Sequence, residues 1–115
     1  MSRRDWKLFV LDMVESIQKV QDYLGNYGYA DFLSDGKTQD AVVRNLEIIG
    51  EAARQILPEI RQKYPEIPWG HLVALRNRLT HGYFGVDPEI VWDIVQNELP
   101  QVKAKLEWLL GEERS

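Results

Sequence analysis

The stretch "QDAVVRNLEIIGEAARQIL", residues 39–57, decides the fold. Val42, Leu46, Ile49, Ala53 and Ile56 recur at steps of four, three, four and three. That period belongs to one face of an α-helix. Arg44, Glu47 and Glu51 form a second, polar stripe at steps of three and four. A helix with one apolar face must bury it against other helices or a sheet, so the flanking sequence settles the class. Thr38 is a good N-cap type and is expected to open this helix, and Pro58 to end or bend it.

Toward the N-terminus, residues 5–24 carry Trp6, Phe9, Val10, Met13, Val14, Ile17, Val20 and Leu24 at helical spacing, with Gly25 as a stop. The connection "GNYGYADFLSDGKT" is rich in glycine and Asx residues and leaves room for one short helical turn at 30–33. Toward the C-terminus, "EIRQKY" reads as a short helix before Pro65. Pro68 opens "WGHLVALRNRLTH", with Leu72, Leu75 and Leu79 facing inward. The last helix has Asp87 as N-cap and Pro88 in first position, the preferred arrangement. It carries Ile90, Val91, Ile94, Val95, Leu99, Val102, Leu106, Leu109 and Leu110, and Pro100 inside it should produce a kink. Trp69 and Trp92 read as core and His71 as a surface residue. No segment alternates like a strand, and no repeat or linker interrupts the pattern. The expected architecture is all-α: an antiparallel bundle of four main helices with one or two short extra helices, as a single domain over residues 1–115.

Composition agrees with that reading. The chain has 115 residues, 44% hydrophobic and 28% charged, an ordinary globular mix. No apolar run approaches the roughly 20 residues of a membrane span. Acids within the first apolar stretch, "MSRRDWKLFVLDMVE", argue against a signal peptide. There are no cysteines, which removes disulfides and thiolate metal sites. A cytoplasmic location is expected. The net charge of −4 speaks against a general nucleic-acid coat protein. Its distribution is uneven: residues 1–86 balance, and the stretch from Asp87 onward supplies the whole deficit. Between Ile67 and Val86 there is no acid, only the cations Arg76 and Arg78.

That acid-free stretch contains "RNRLTHGYFGVDP", residues 76–88. His81 follows Arg76 by five residues, roughly 140° apart on a continuous helix, so the two converge only if the helix ends near His81. Gly82 is the residue type that ends helices, by adopting a left-handed conformation. Asn77 lies four residues before His81, and its amide is placed to fix the imidazole tautomer. Histidine exchanges a proton near neutral pH, and arginine grips phosphate and stabilises charge that builds on it. The pair suits cleavage of RNA, whose 2′-hydroxyl is an internal nucleophile, with no metal ion or cofactor. One histidine leaves the departing oxygen without an acid, and a symmetric dimer would bring a second copy to the same groove. Each residue also has a plainer reading. An arginine near a helix C-terminus is favoured by the helix dipole, and histidine before glycine is an ordinary end to a helix. Tyr83 and Phe84 read as packing or interface residues, and the Arg44, Glu47, Glu51 stripe as a solvated face with internal ion pairs. The functional alternative for that stripe, with Arg78, is to line the groove and orient Arg76.

The run "RNRLTHGYFGVDPEIVW" resembles the HepT family of the HEPN superfamily, as do "RNLEIIGEAA", "IPW" and "VWDIVQNELP" in the same order. These segments cover most of residues 40–100. The resemblance implies a dimeric HEPN-like helical domain, possessing metal-independent endoribonuclease activity on RNA such as tRNA. It implies the toxin of a type VII toxin–antitoxin (HEPN/MNT) pair, with Arg76 and His81 as the catalytic pair and Asn77 in the polar place beside them. It implies a minimal nucleotidyltransferase antitoxin as partner, transferring AMP to Tyr83, and no membrane. Ala74 and Leu75 stand where the pattern has Gly-Met, which bears on close helix packing. Two other functions fit the same residues: a non-catalytic binding or regulatory subunit of a nucleotidyltransferase, and a plain helical dimerisation module.

Overall fold

The structure, a computed structural model, describes residues 5–80 and 85–114. Among these the elements are α1 (Trp6–Leu24), α2 (Tyr29–Leu33), α3 (Gly36–Arg54), α4 (Pro58–Lys63), α5 (Trp69–Val73), α6 (Leu75–Arg78), α7 (Pro88–Asp93), a π-helical segment (Ile94–Glu98) and α8 (Leu99–Glu112). No strand occurs among the described residues; one isolated antiparallel bridge joins Thr80 and Val86. The molecule is an all-α bundle of four main helices, the third broken into α5–α6 and the fourth into α7, the π segment and α8.

α1 packs along α3 and α8, and α3 is covered by α5 and α6. α8 runs antiparallel to α1. Lys103 Nζ donates to Gln18 Oε1 at 2.8 Å midway, while the start of α1 lies beside the end of α8, where Lys7 helps stabilise the Glu113 carboxylate. The core follows the sequence stripes: Val10, Met13, Ile17 and Val20 from α1 and Val42, Leu46, Ile49 and Ala53 from α3 are all fully buried. Trp6, Phe9 and Val14 border that core. Trp69 is core, its indole N–H donating to Tyr64 O at 3.0 Å, and His71 is exposed. Trp92 packs against the edge of the core rather than inside it. It is half-buried on α7, where Tyr29 and Phe32 of α2 meet its ring at 5.8 and 5.5 Å.

Three boundaries differ from the sequence expectation or refine it. α3 opens at Gly36 with Asp35, not Thr38, as its cap. A carboxylate is the stronger acceptor for the free N–H groups of the first turn. It accepts from Thr38 N at 3.0 Å, Thr38 Oγ1 at 2.7 Å and the Tyr27 hydroxyl at 2.6 Å. The far end of α3 stops at Arg54, and Arg61 from α4 donates to the freed carbonyls of Ala53 and Ile56, both at 3.1 Å. In the last helix the expected bend at Pro100 takes the form of the π segment just before it. Leu99 N–H bonds to Ile94 O, five residues back, and Pro100 follows near the start of α8. The wider turn accommodates a residue that has no N–H to give to the α-helical ladder.

A close approach between helices falls at Gly50. A Cβ there would stand 3.0 Å from Leu72 O and 3.7 Å from Leu75 Cβ, so α5 and α6 rest directly on the backbone of α3. Close packing of this pair comes from Gly50 rather than from residue 74.

Two outcomes follow from these contacts. Gly50→Val should destabilise the protein by about 2–3 kcal/mol, because the added Cβ, which carries two methyl groups, meets backbone rather than a movable side chain; thermal unfolding measures this. The hydrogen bonds from Tyr27 and Thr38 hold the Asp35 carboxyl at about 2, below its ordinary 3.8. A lowered folded-state pKa stabilises above the unfolded value and loses that contribution as protons bind. The difference in melting temperature between wild type and Asp35→Ala should therefore be full at neutral pH. It should shrink as the pH falls through 3.8 toward about 2.

Candidate functional site

The site is built on the short turn that ends the third helix. α5 stops at Val73, Ala74 turns the chain with φ −82° and ψ 0°, and α6 adds one more turn. Leu72, Leu75 and Leu79 are buried, as their spacing predicts. The expectation that the helix runs to His81 and stops at Gly82 is corrected in its boundary: α6 ends at Arg78, with Leu79 as its cap. The reason is that the returning chain takes over the backbone bonds a further turn would need. Asp87 N–H donates to Leu79 O at 2.9 Å, and Thr80 pairs with Val86. The Thr80 hydroxyl donates to Asn77 O at 3.1 Å, a local bond that competes with helix continuation. Gly85 takes φ +77°, the left-handed region where glycine carries no steric cost. Beyond it Asp87 caps α7 by accepting from Glu89 N at 2.9 Å, with Pro88 in first position, as expected.

His81, Gly82, Tyr83 and Phe84 lie outside the described residues. The structure therefore fixes both ends of their segment and the other half of the expected pair. Arg76 is exposed on α6 and has no ion pair among the described residues. Asn77 is exposed beside it. Because α6 ends before His81, the roughly 140° phase separation of a continuous helix does not apply.

Arg78 is committed elsewhere. Its guanidinium meets Glu98 two-pronged, Nη1 to Oε1 at 3.0 Å and Nη2 to Oε2 at 2.5 Å, with both side chains about one-third exposed. Of the two cations in the acid-free stretch, Arg76 alone faces solvent without a carboxylate partner among the described residues. Glu98 was not singled out by sequence reasoning. No local spacing could have found it, because its partner Arg78 lies 20 residues away in the chain, and Glu98 projects from the end of the π segment.

The polar stripe on α3 borders the same region. Arg44 and Glu51 are exposed and Glu47 is half-buried. Counting 100° per residue from Gly50, which faces α5–α6, the stripe sits roughly 60–120° round the helix, along the edge of that contact. Among the described residues no ion pair joins Arg44, Glu47 and Glu51, so the expected internal pairing is absent. Tyr29, Phe32 and Trp92 brace α7, which carries the returning end of the loop. Burial, then Glu89 and Asp87 nearby, push the Tyr29 hydroxyl above its usual range. Among the described residues no group of three or more acidic or histidine side chains could hold a metal ion.

The described residues thus form an all-α bundle with an exposed arginine at the last turn of its third helix, five residues before a histidine in sequence. The family described as "Ribonuclease HepT-like" matches residues 13–109. The chain is 40% identical over 107 residues to "Probable ribonuclease HepT" of Thermococcus cleftensis, covering 93% of this chain and 97% of that one. It is 42% identical over 107 residues to a "Putative RNase" of Methanocaldococcus jannaschii, covering 93% and 98%. A second "Putative RNase" of that organism is 38% identical over 110 residues, covering 96% and 91%. No solved structure matches the chain. The chain belongs to the HepT-like ribonuclease family, a family of endoribonucleases.

Proposed function

We propose that this protein is the toxin of a type VII toxin–antitoxin pair, a metal-independent endoribonuclease that cuts RNA, with tRNA as the target class. The observation that carries the reading is the early end of α6. It presents Arg76 to solvent two residues before the chain turns back, in a stretch whose other cation is already neutralised by Glu98.

In this reading the His81 imidazole removes the proton of a 2′-hydroxyl. The oxygen attacks the adjacent phosphorus, an O2′–P bond forms and the P–O5′ bond breaks. The departing O5′ takes up a proton. The products are a 2′,3′-cyclic phosphate and a 5′-hydroxyl. Arg76 holds the non-bridging oxygens and stabilises the charge on the five-coordinate state. Asn77 orients the imidazole. A homodimer places two copies of the site at one groove, so that the second His81 protonates the leaving oxygen. It also doubles the cationic grip available to a chain of net charge −4. Arg44, Glu47 and Glu51 line the approach along the α3 edge. The protein works in the cytoplasm; among the described residues no helix is long and apolar enough to cross a membrane.

Control comes from a minimal nucleotidyltransferase antitoxin that transfers AMP to the Tyr83 hydroxyl. The phosphodiester so formed carries a fixed negative charge two residues from His81. It would occupy Arg76 and exclude the RNA phosphate.

Arg76→Ala and His81→Ala should each lower cleavage of bulk tRNA by at least about 100-fold while leaving the helical circular dichroism unchanged. Mapping of the wild-type cuts should find cyclic phosphate ends. Cleavage that persists in both variants removes the assignment, and a wild type inert toward RNA makes the protein a binding subunit instead. Co-expression with a minimal nucleotidyltransferase antitoxin should add the mass of one or more AMP units to wild type and none to Tyr83→Phe.

A further inference from the structure

We propose that Glu98 is a positioning residue for Arg76, acting through Arg78; this rests on the ribonuclease reading above. α6 is four residues long, one turn, too short to hold its own direction in water. Its orientation is imposed from outside by three contacts. Leu75 and Leu79 sink one side into the core. The Leu79 carbonyl is fixed by Asp87 N. On the remaining side Arg78 is clamped by Glu98.

The clamp differs in kind from the other two. Apolar contacts hold α6 down but tolerate rotation about its axis. A planar guanidinium met by both oxygens of a carboxylate does not, because both N–H···O bonds must keep their directions. Arg78 lies two residues after Arg76 and three before His81. Fixing its side chain fixes the angle at which the turn presents its neighbours. The carboxylate itself is rigidly supplied. Glu98 ends the π segment, between Val95 and Leu99, which are buried. The wide turn before Pro100 thus acquires a purpose, holding an acid against Arg78 and leaving Arg76 as the exposed cation of α6.

The pair is partly exposed, and its removal leaves no cavity, so the fold should survive. Glu98→Ala should lower kcat for cleavage of bulk tRNA by about 10- to 100-fold, with KM held within about twofold. Arg78→Ala should do the same. The double variant should be no worse than either single one, because both remove a single device. Amide hydrogen exchange of Glu98→Ala should rise by about fivefold at Arg78 and Leu79 and stay at wild-type rates in α1 and α3. Melting within a few degrees of wild type confirms that the fold is intact.

An unchanged kcat in Glu98→Ala overturns the proposal. So does a rise in KM alone, which would make Arg78 a direct phosphate ligand, or losses that add in the double variant. Should the wild type cleave no RNA, the ribonuclease reading falls by itself. The exchange experiment then still decides the tether, and protection unchanged in Glu98→Ala overturns it.

Discussion

The placement of the candidate site rests on how closely α5–α6 approach α3. Gly50 has no side chain, so the carbonyl of Leu72 sits where a Cβ would be met at 3.0 Å. That contact lets the short α5 and α6 bury Leu72, Leu75 and Leu79 against a core already filled from α1 and α3. A one-turn helix gains little from its own hydrogen bonds, and its stability comes from such burial. The candidate site is therefore a surface feature held by a deep one. Arg76 is exposed while Leu75, one position before it, and Leu79, three after it, are anchored in the core.

Electrostatics then selects among the exposed groups. The acid-free stretch contains two arginines, yet Glu98 reaches in from the π segment and neutralises Arg78. What remains is one cation at a helix end, beside a loop closed by the Leu79–Asp87 and Thr80–Val86 backbone pairs. Such an arrangement concentrates positive potential at one point of an acidic protein, which suits recognition of a single phosphate rather than a long polyanion. The clasp at the far end of the molecule has no part in this. There Lys63 lies 2.9 Å from the Glu113 carboxylate, which also accepts from the Tyr64 hydroxyl, so the end of α8 is fastened to the end of α4.

Much of this was legible in the chain because helical periodicity is local. The stripes on α1, α3 and α8, the Gly25 stop and the Asp87-Pro88 start all rest on residues within a few positions of one another. Arg76 was legible as a candidate residue for the same reason. Errors arose where two acceptable local choices competed. Asp35 and Thr38 are both good caps, and the Asp35 carboxylate, the stronger acceptor, is further fixed by the Tyr27 hydroxyl that donates to it. The end of α6 was placed at the glycine that could end it. The chain instead leaves the helix where a returning strand-like segment supplies the backbone partners.

The sequence by itself determined an all-α chain, the faces its helices bury and the segment that carries the cationic chemistry. These depend on side-chain order along one element. The tertiary structure decided that Arg78 is held by Glu98, that α6 stops at Arg78 and that α5–α6 pack onto the backbone of α3 at Gly50. Each of these joins residues twenty or more positions apart or depends on the returning chain. No local pattern encodes such pairings, since they are fixed only when packing brings the partners to bonding distance.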